Sequence, residues 1–290
     1  LAFQHQQQHT IEHSLREAAG GAAHLVERAV REQIGILKGM ASSLAFDRWD
    51  LETVRKEAER LWDLHPEWRT VIVTDEHRPL FNLHFPPGEP ITPLRDPESL
   101  AHVWATGRAI AGNLAHGYVA IRVPVERSGR LVYTIVAPIS PQYFSDQLQA
   151  HVQDQLWKAA IVGSDGIVIA ATPGSPMPVG KPLPWDFPIS AEGYRADGSD
   201  YKAWASVAGS GWQVVIVAPA AAVEQPYART RMAVYIGGAF AAILTSVLTL
   251  VLSSAWAARR EAVRLRAEIE GRRQAQSALQ ASDEKYRRIV

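Results

Sequence analysis

Polar and apolar positions divide the chain into segments of different period. From Thr10 to Leu44 the apolar residues Ile11, Leu15, Ala22, Leu25, Val26, Val30, Ile34, Leu37, Met40 and Leu44 recur at helical spacing, which predicts one long amphipathic helix. Gly20 and Gly21 are its weak point, where a kink is expected. A second helix is predicted over Leu51–Leu64, with Asp50 as N-cap and Pro66 just beyond its end. Past Pro66 the period falls towards two. VIVTDEHRPLFNL (71–83) and AIVGSDGIVIAAT (160–172) both read as strand, Asp-containing turn, strand, with Asp75 matching Asp165. YVAIRVPVERSGRLVYTIVAP (118–138) and YKAWASVAGSGWQVVIVAP (201–219) both open on Tyr, turn at Ser-Gly and end in Ile-Val-Ala-Pro. Two matches in the same order predict a duplicated unit of about 60 residues. The first unit also holds a short helix, capped at Asp96 and ending near Gly107, and each unit exits into a helix, the first over 142–156.

The run from Met232 to Ala258 contains no charged residue. It exceeds the roughly 20 residues that cross a hydrocarbon core and is expected to be a transmembrane helix. Six arginines follow it closely (259, 260, 264, 266, 272 and 273) against Arg229 and Arg231 before it, so the C-terminal side is expected in the cytoplasm. Residues 1–231 hold 21 basic and 25 acidic groups, and residues 259–290 hold 9 and 5, which agrees with that orientation. Export of the first 231 residues calls for an earlier membrane helix ahead of Leu1, and a cytoplasmic continuation is expected after Val290. The expected division is 1–65, N-terminal helices; 66–156, a membrane-distal module; 157–231, a membrane-proximal module; 232–258, the span; and 259–290, a cytoplasmic helix.

Composition narrows the chemistry. With 30 basic and 30 acidic residues the formal charge is zero, which speaks against nucleic-acid binding, and with no cysteine there is no thiol chemistry and no disulfide. His5, His9 and His13 share a helix face but lack a carboxylate-rich shell, so no metal is expected. Ser164 and Ser210 lie in turn strings unlike the GxSxG of hydrolases, and no Gly-rich phosphate loop occurs, so neither a catalytic residue nor a cofactor is predicted.

A long helix, two strand-rich modules and a following span resemble the double Cache sensor domains of bacterial transmembrane receptors, with TGRAIAGNL, VAIRVPV and SGWQVVIVAP as the segments most like them. The resemblance covers most of residues 10–231. It implies an α+β fold with two tandem PAS-like antiparallel sheets, a small ligand in the distal one, and a homodimer in the membrane. Amino-acid-sensing members are similar to one another in an Arg followed closely by Trp-Tyr; here Trp104 precedes Arg108 and no Trp-Tyr pair occurs.

If the strands beside Ser128-Gly129 alternate without interruption, one face carries Val119, Ile121, Val123, Val125, Val132, Thr134 and Val136 and packs on the long helix. The other carries Tyr118, Ala120, Arg122, Pro124, Tyr133, Ile135 and Ala137, one cation between two phenols. That set suits a small anion such as a carboxylate, because the guanidinium fork matches two oxygens. Trp104, Arg108, Asn113 and His116 are placed to close such a pocket, and Asp75 completes the candidate set. The alternative is that Arg122 pairs with Asp75 or Glu126. The same treatment of the second hairpin gives no charge on either face, which marks it as a coupling module. In the tail, apolar residues near heptad spacing at Ala262, Leu265, Ile269 and Leu279 predict a signalling helix, and SALQASDEKYRRIV resembles the start of a cytoplasmic PAS domain. A sensor histidine kinase is the expected whole, with a diguanylate cyclase or phosphodiesterase, or a ligand-free dimerisation ectodomain, as alternatives.

Overall fold

The computed structural model describes the chain except for residues 1, 90, 92–95, 153–155, 186–191, 222, 224–231, 233–234, 255, 257–258, 261–270 and 272–290, and except for the side chains of residues 2–7. The long helix, α1 (Ala2–Ala41), has 40 residues and so spans about 60 Å. It runs without a break through Gly20 and Gly21, because Ala19, Ala22, Ala23 and Val26 around them are all buried and packing holds the turn. α2 (Leu51–Leu64) has the expected bounds: Asp50 accepts the Thr53 N–H at 3.0 Å and the Thr53 hydroxyl at 2.6 Å.

Two five-stranded antiparallel sheets follow. The first comprises β1 (Ile72–Thr74), β2 (Pro79–Asn82), β3 (Ile110–Ala115), β4 (Tyr118–Arg127) and β5 (Arg130–Ile139) in the order β2-β1-β5-β4-β3, with α3 (Pro97–Thr106) between β2 and β3. After α4 (Pro141–His151) comes the second, with β6 (Lys158–Val162), β7 (Val168–Ala171), β8 (Gly193–Ala196), β9 (Asp200–Val207) and β10 (Trp212–Pro219) in the order β7-β6-β10-β9-β8. The same order of equivalent strands in both sheets is the structural form of the internal repeat. Both sheets contact α1, chiefly through β4 and β9. Val119, Ile121, Val123 and Val125 of β4 are fully buried on that side, and each such side chain stabilises the fold by about 1.5–3 kcal/mol. A polar knot fixes the register of α1: buried Gln33 accepts from the Trp68 indole and donates to Glu67 at 3.0 Å.

The strand registers differ from uninterrupted alternation. Ser128 (φ 49°) and Gly129 (φ 73°) form a two-residue left-handed turn that pairs Arg127 with Arg130 and Glu126 with Leu131. A bulge follows: Val125 pairs with Tyr133, so Val132 is the extra residue and β5 shifts by one beyond it. Tyr133, Ile135 and Ala137 therefore join Val123 and Val125 on the α1 side, while Thr134, Val136 and Pro138 share the face of Arg122. In the second hairpin Val207 pairs with Trp212 across a four-residue loop, and Lys202, Trp204, Val215 and Val217 share one face. The terminal Ile-Val-Ala-Pro strings give the true equivalence: Val136 pairs with Arg122, and Val217 with Lys202. Tyr118 and Tyr201 are not equivalent in this register.

Residues up to Val223 form one compact unit and those from Glu224 a second. In the second, Tyr235–Ser254 is a 20-residue helix of mean hydropathy 2.1, long and apolar enough to cross a membrane. The heptad positions and the string resembling a PAS start lie outside the described residues.

Candidate functional site

The outer face of the first sheet, away from α1, holds a cavity of about 300 Å³. Its floor comes from β4 and β5 (Ala120, Arg122, Val136 and Pro138), its flank from β1, β2 and their neighbours (Arg69, Thr70, Ile72, Asn82, His84 and Phe85), and its rim from Ala115, His116 and Tyr118 at the β3–β4 turn. That volume is at the small end of the range for small-molecule sites.

Arg122 is 2% exposed at the cavity floor. Its partner is neither Asp75 nor Glu126 but Asp96: Nη1 donates to Oδ2 at 3.1 Å and Nη2 to the Asp96 carbonyl at 2.9 Å. Burial draws the guanidinium below its ordinary value and Asp96 opposes that shift. Asp96 is also the N-cap of α3, accepting from the Ser99 N–H at 3.2 Å and from the Ser99 hydroxyl. One ion pair thus ties the start of α3 to the middle of the sheet. The close approach needs a glycine opposite, since a Cβ on Gly112 would lie 2.8 Å from Asp96 Oδ2.

Of the residues expected from sequence, Arg122, Tyr118 and His116 line the cavity. Tyr133 does not: the bulge turns it to the α1 side, where it packs against Phe46 and Trp49 with ring centroids 5.7 and 5.5 Å away. Asp75 organises the β1–β2 turn, accepting the His77 and Arg78 N–H groups at 2.8 Å each. Burial there disfavours its charge, but those donors and Arg78 outweigh it and hold the carboxyl below its usual value. Trp104 lies in a separate depression with Glu76, His77 and Arg78, and Arg108 is exposed beyond the end of α3. Asn113 faces the second sheet, donating to Ser164 Oγ at 3.0 Å and accepting the Ser164 N–H at 3.1 Å. Arg69, Asn82 and His84 belong to the site although sequence reasoning passed over them; β1 and β2 were recognised as strands, and only the strand order brings them beside β5.

The second sheet carries a charge after all. Lys202, 8% exposed, occupies the register position of Arg122, pairs with Asp197 and stacks over Trp185 at 4.5 Å. Its hydrogen bond, the largest of several effects, holds the Asp197 carboxyl below the usual range. Around it Val162, Val168, Met177, Val215 and Val217 are buried, with Trp185 and Trp204 packed against them. Side chains occupy the face that is hollow in the first sheet.

Among solved structures, the ligand-binding domain of the Pseudomonas aeruginosa amino-acid chemoreceptor PctC in complex with GABA is similar to this chain, with a TM-score of 0.59 at 18% identity, covering 72% of this chain and 99% of that one. The domain of PctB from the same organism with L-Arg gives 0.56 at 16% identity, covering 72% and 95%. That of the Pseudomonas fluorescens chemoreceptor CtaA with L-serine gives 0.54 at 15%, covering 73% and 98%. No family profile and no curated protein matches the chain. The fold is therefore that of these receptor ligand-binding domains, two antiparallel sheets on a long helix, in agreement with the double Cache architecture.

Proposed function

We propose that this chain is the ligand-sensing and membrane-anchoring part of a bacterial receptor. Residues 1–231 lie outside the cytoplasm, the apolar helix crosses the membrane, and residues 259–290 carry the signal to a PAS domain and a histidine kinase output. The ligand, a small molecule with a carboxylate, binds in the first-sheet module. The observation that carries this reading is the contrast between the two sheets: equivalent faces, one hollow and lined by charged and polar groups, the other filled by Trp185, Met177 and valines. The similar structures support it, being receptor domains, two of them holding L-amino acids and one GABA.

Transmission is assigned to β3 and the second sheet. The β3–β4 turn rims the cavity, and two residues before that rim Asn113 and Leu114 reach the second sheet, Asn113 at Ser164 and Leu114 near Gly180. Gly163 keeps that joint close, because a Cβ there would lie 2.8 Å from Asn113 Oδ1. A ligand shifts such a joint only by the difference in its affinity for the two arrangements. A homodimer of α1 helices is the expected signalling form.

Two measurements test the reading. Alkaline phosphatase fused in the loop at Gly174 should be active in a Gram-negative host, and green fluorescent protein fused there after Sec export should be dark. The reverse pattern would overturn the topology. A thermal-shift screen of the full chain in detergent against small carboxylates and amino acids should yield a ligand that, at 100 times its dissociation constant, stabilises the fold by about 2.7 kcal/mol. A screen in which neither class raises the midpoint would remove the sensor assignment.

A further inference from the structure

We infer that the ligand is a carboxylate anion without an ammonium group, and that Arg69, rather than the buried Arg122, is its anchor. This rests on the assignment of the first-sheet cavity as the ligand site. The side-chain carboxylate and amide acceptors of the cavity, Asp96 and Asn82, are already engaged within the protein. Asp96, the carboxylate in its lining, gives Oδ2 to Arg122 and the Ser99 hydroxyl, Oδ1 to the Ser99 N–H, and its carbonyl to Arg122. Asn82 Oδ1 accepts from Thr70 Oγ1 at 2.6 Å and from the His84 N–H at 3.0 Å, and the Pro138 carbonyl accepts the Arg69 N–H at 2.8 Å.

The donors remain. The Arg69 guanidinium is exposed at the cavity and has no side-chain partner among the described residues. The Asn82 amide N–H₂ and the Tyr118 hydroxyl also line it without a side-chain partner among the described residues, and Arg122 Nε is buried with none. An ammonium group entering this cavity meets a lining carboxylate already paired with Arg122 and gives up hydration without gaining an unpaired anion. A carboxylate meets a free planar fork at Arg69 and an amide donor at Asn82 in the same lining, the donor types that a bidentate charged contact uses. Arg122 then serves to hold α3 to the sheet.

Calorimetric titration of the full chain in detergent with matched pairs decides the matter: propionate against alanine, butyrate against 4-aminobutyrate, and succinate against aspartate. The deaminated member of at least one pair should bind tenfold or more tighter than its amino partner. Arg69→Ala should weaken that binding by about 10- to 100-fold, while Arg130→Ala, at the exposed start of β5, should leave it unchanged. Amino acids binding more tightly than their deaminated partners, or a ligand whose affinity survives Arg69→Ala, would overturn the inference and leave the cavity reading standing. No binding by either member of any pair would remove both.

Discussion

Replacing Trp212 by alanine should lower the stability of the first unit by about 4 kcal/mol, the cost of emptying a fully buried indole site. Trp212 opens β10, has no exposed surface, and meets Phe144 of α4 edge-on at 5.5 Å and 90°. Its Nε1 has no hydrogen-bond partner among the described residues, so the loss is one of burial and packing. For a unit of this size, each kcal/mol moves the midpoint by about 2–4 °C. Near-ultraviolet circular dichroism of the full chain in detergent should therefore show a fall on the order of 10 °C. Trp212→Phe should recover much of it, and a shift below about 2 °C for the alanine variant would contradict the packing of α4 on β10.

Arg122→Ala should cost about 3 kcal/mol, because it leaves a partly buried carboxylate without its cation. Asp96, whose side chain is 19% exposed, keeps its bonds to Ser99 but loses both contacts from the guanidinium. The double variant with Asp96→Ala should cost clearly less than the sum of the two single ones, since the second removal no longer breaks a pair. Additive losses would mean that the two groups do not act on each other in solution. Loss of ligand affinity in Arg122→Ala alone would thus have two sources, and stability must be measured beside it.

Local chemistry made the helices legible. Asp50 and Asp96 each cap a helix as their spacing predicts, and Gly107 ends α3 in a left-handed conformation (φ 64°). The repeat was legible because two matched segments kept their order, and the strand orders bear it out. Side-chain direction was not. A single extra residue at Val132 reverses every later position of β5, and no local signal distinguishes it from its neighbours; this moved Tyr133 from the expected ligand wall to the helix side. The partner of Arg122 was missed for a different reason. Asp96 is 26 positions away and reads as a cap, which it also is, so its second role depends on how α3 lies on the sheet. Arg69 was hidden because it belongs to no patterned segment. Lys202 escaped notice because the matched tyrosines, not the Ile-Val-Ala-Pro ends, were taken as the frame of the repeat.

The claim that a small ligand occupies the first-sheet cavity is tested most directly by filling that cavity. Ala120 projects into it from β4, opposite Pro138, and is only half-buried, so a larger side chain can enter the space without disturbing the α1 side. With the ligand that stabilises the full chain most, Ala120→Phe should abolish the rise in midpoint while leaving the ligand-free midpoint within a few degrees of the parent. A variant that folds and still gains the full ligand-induced stabilisation would contradict the account.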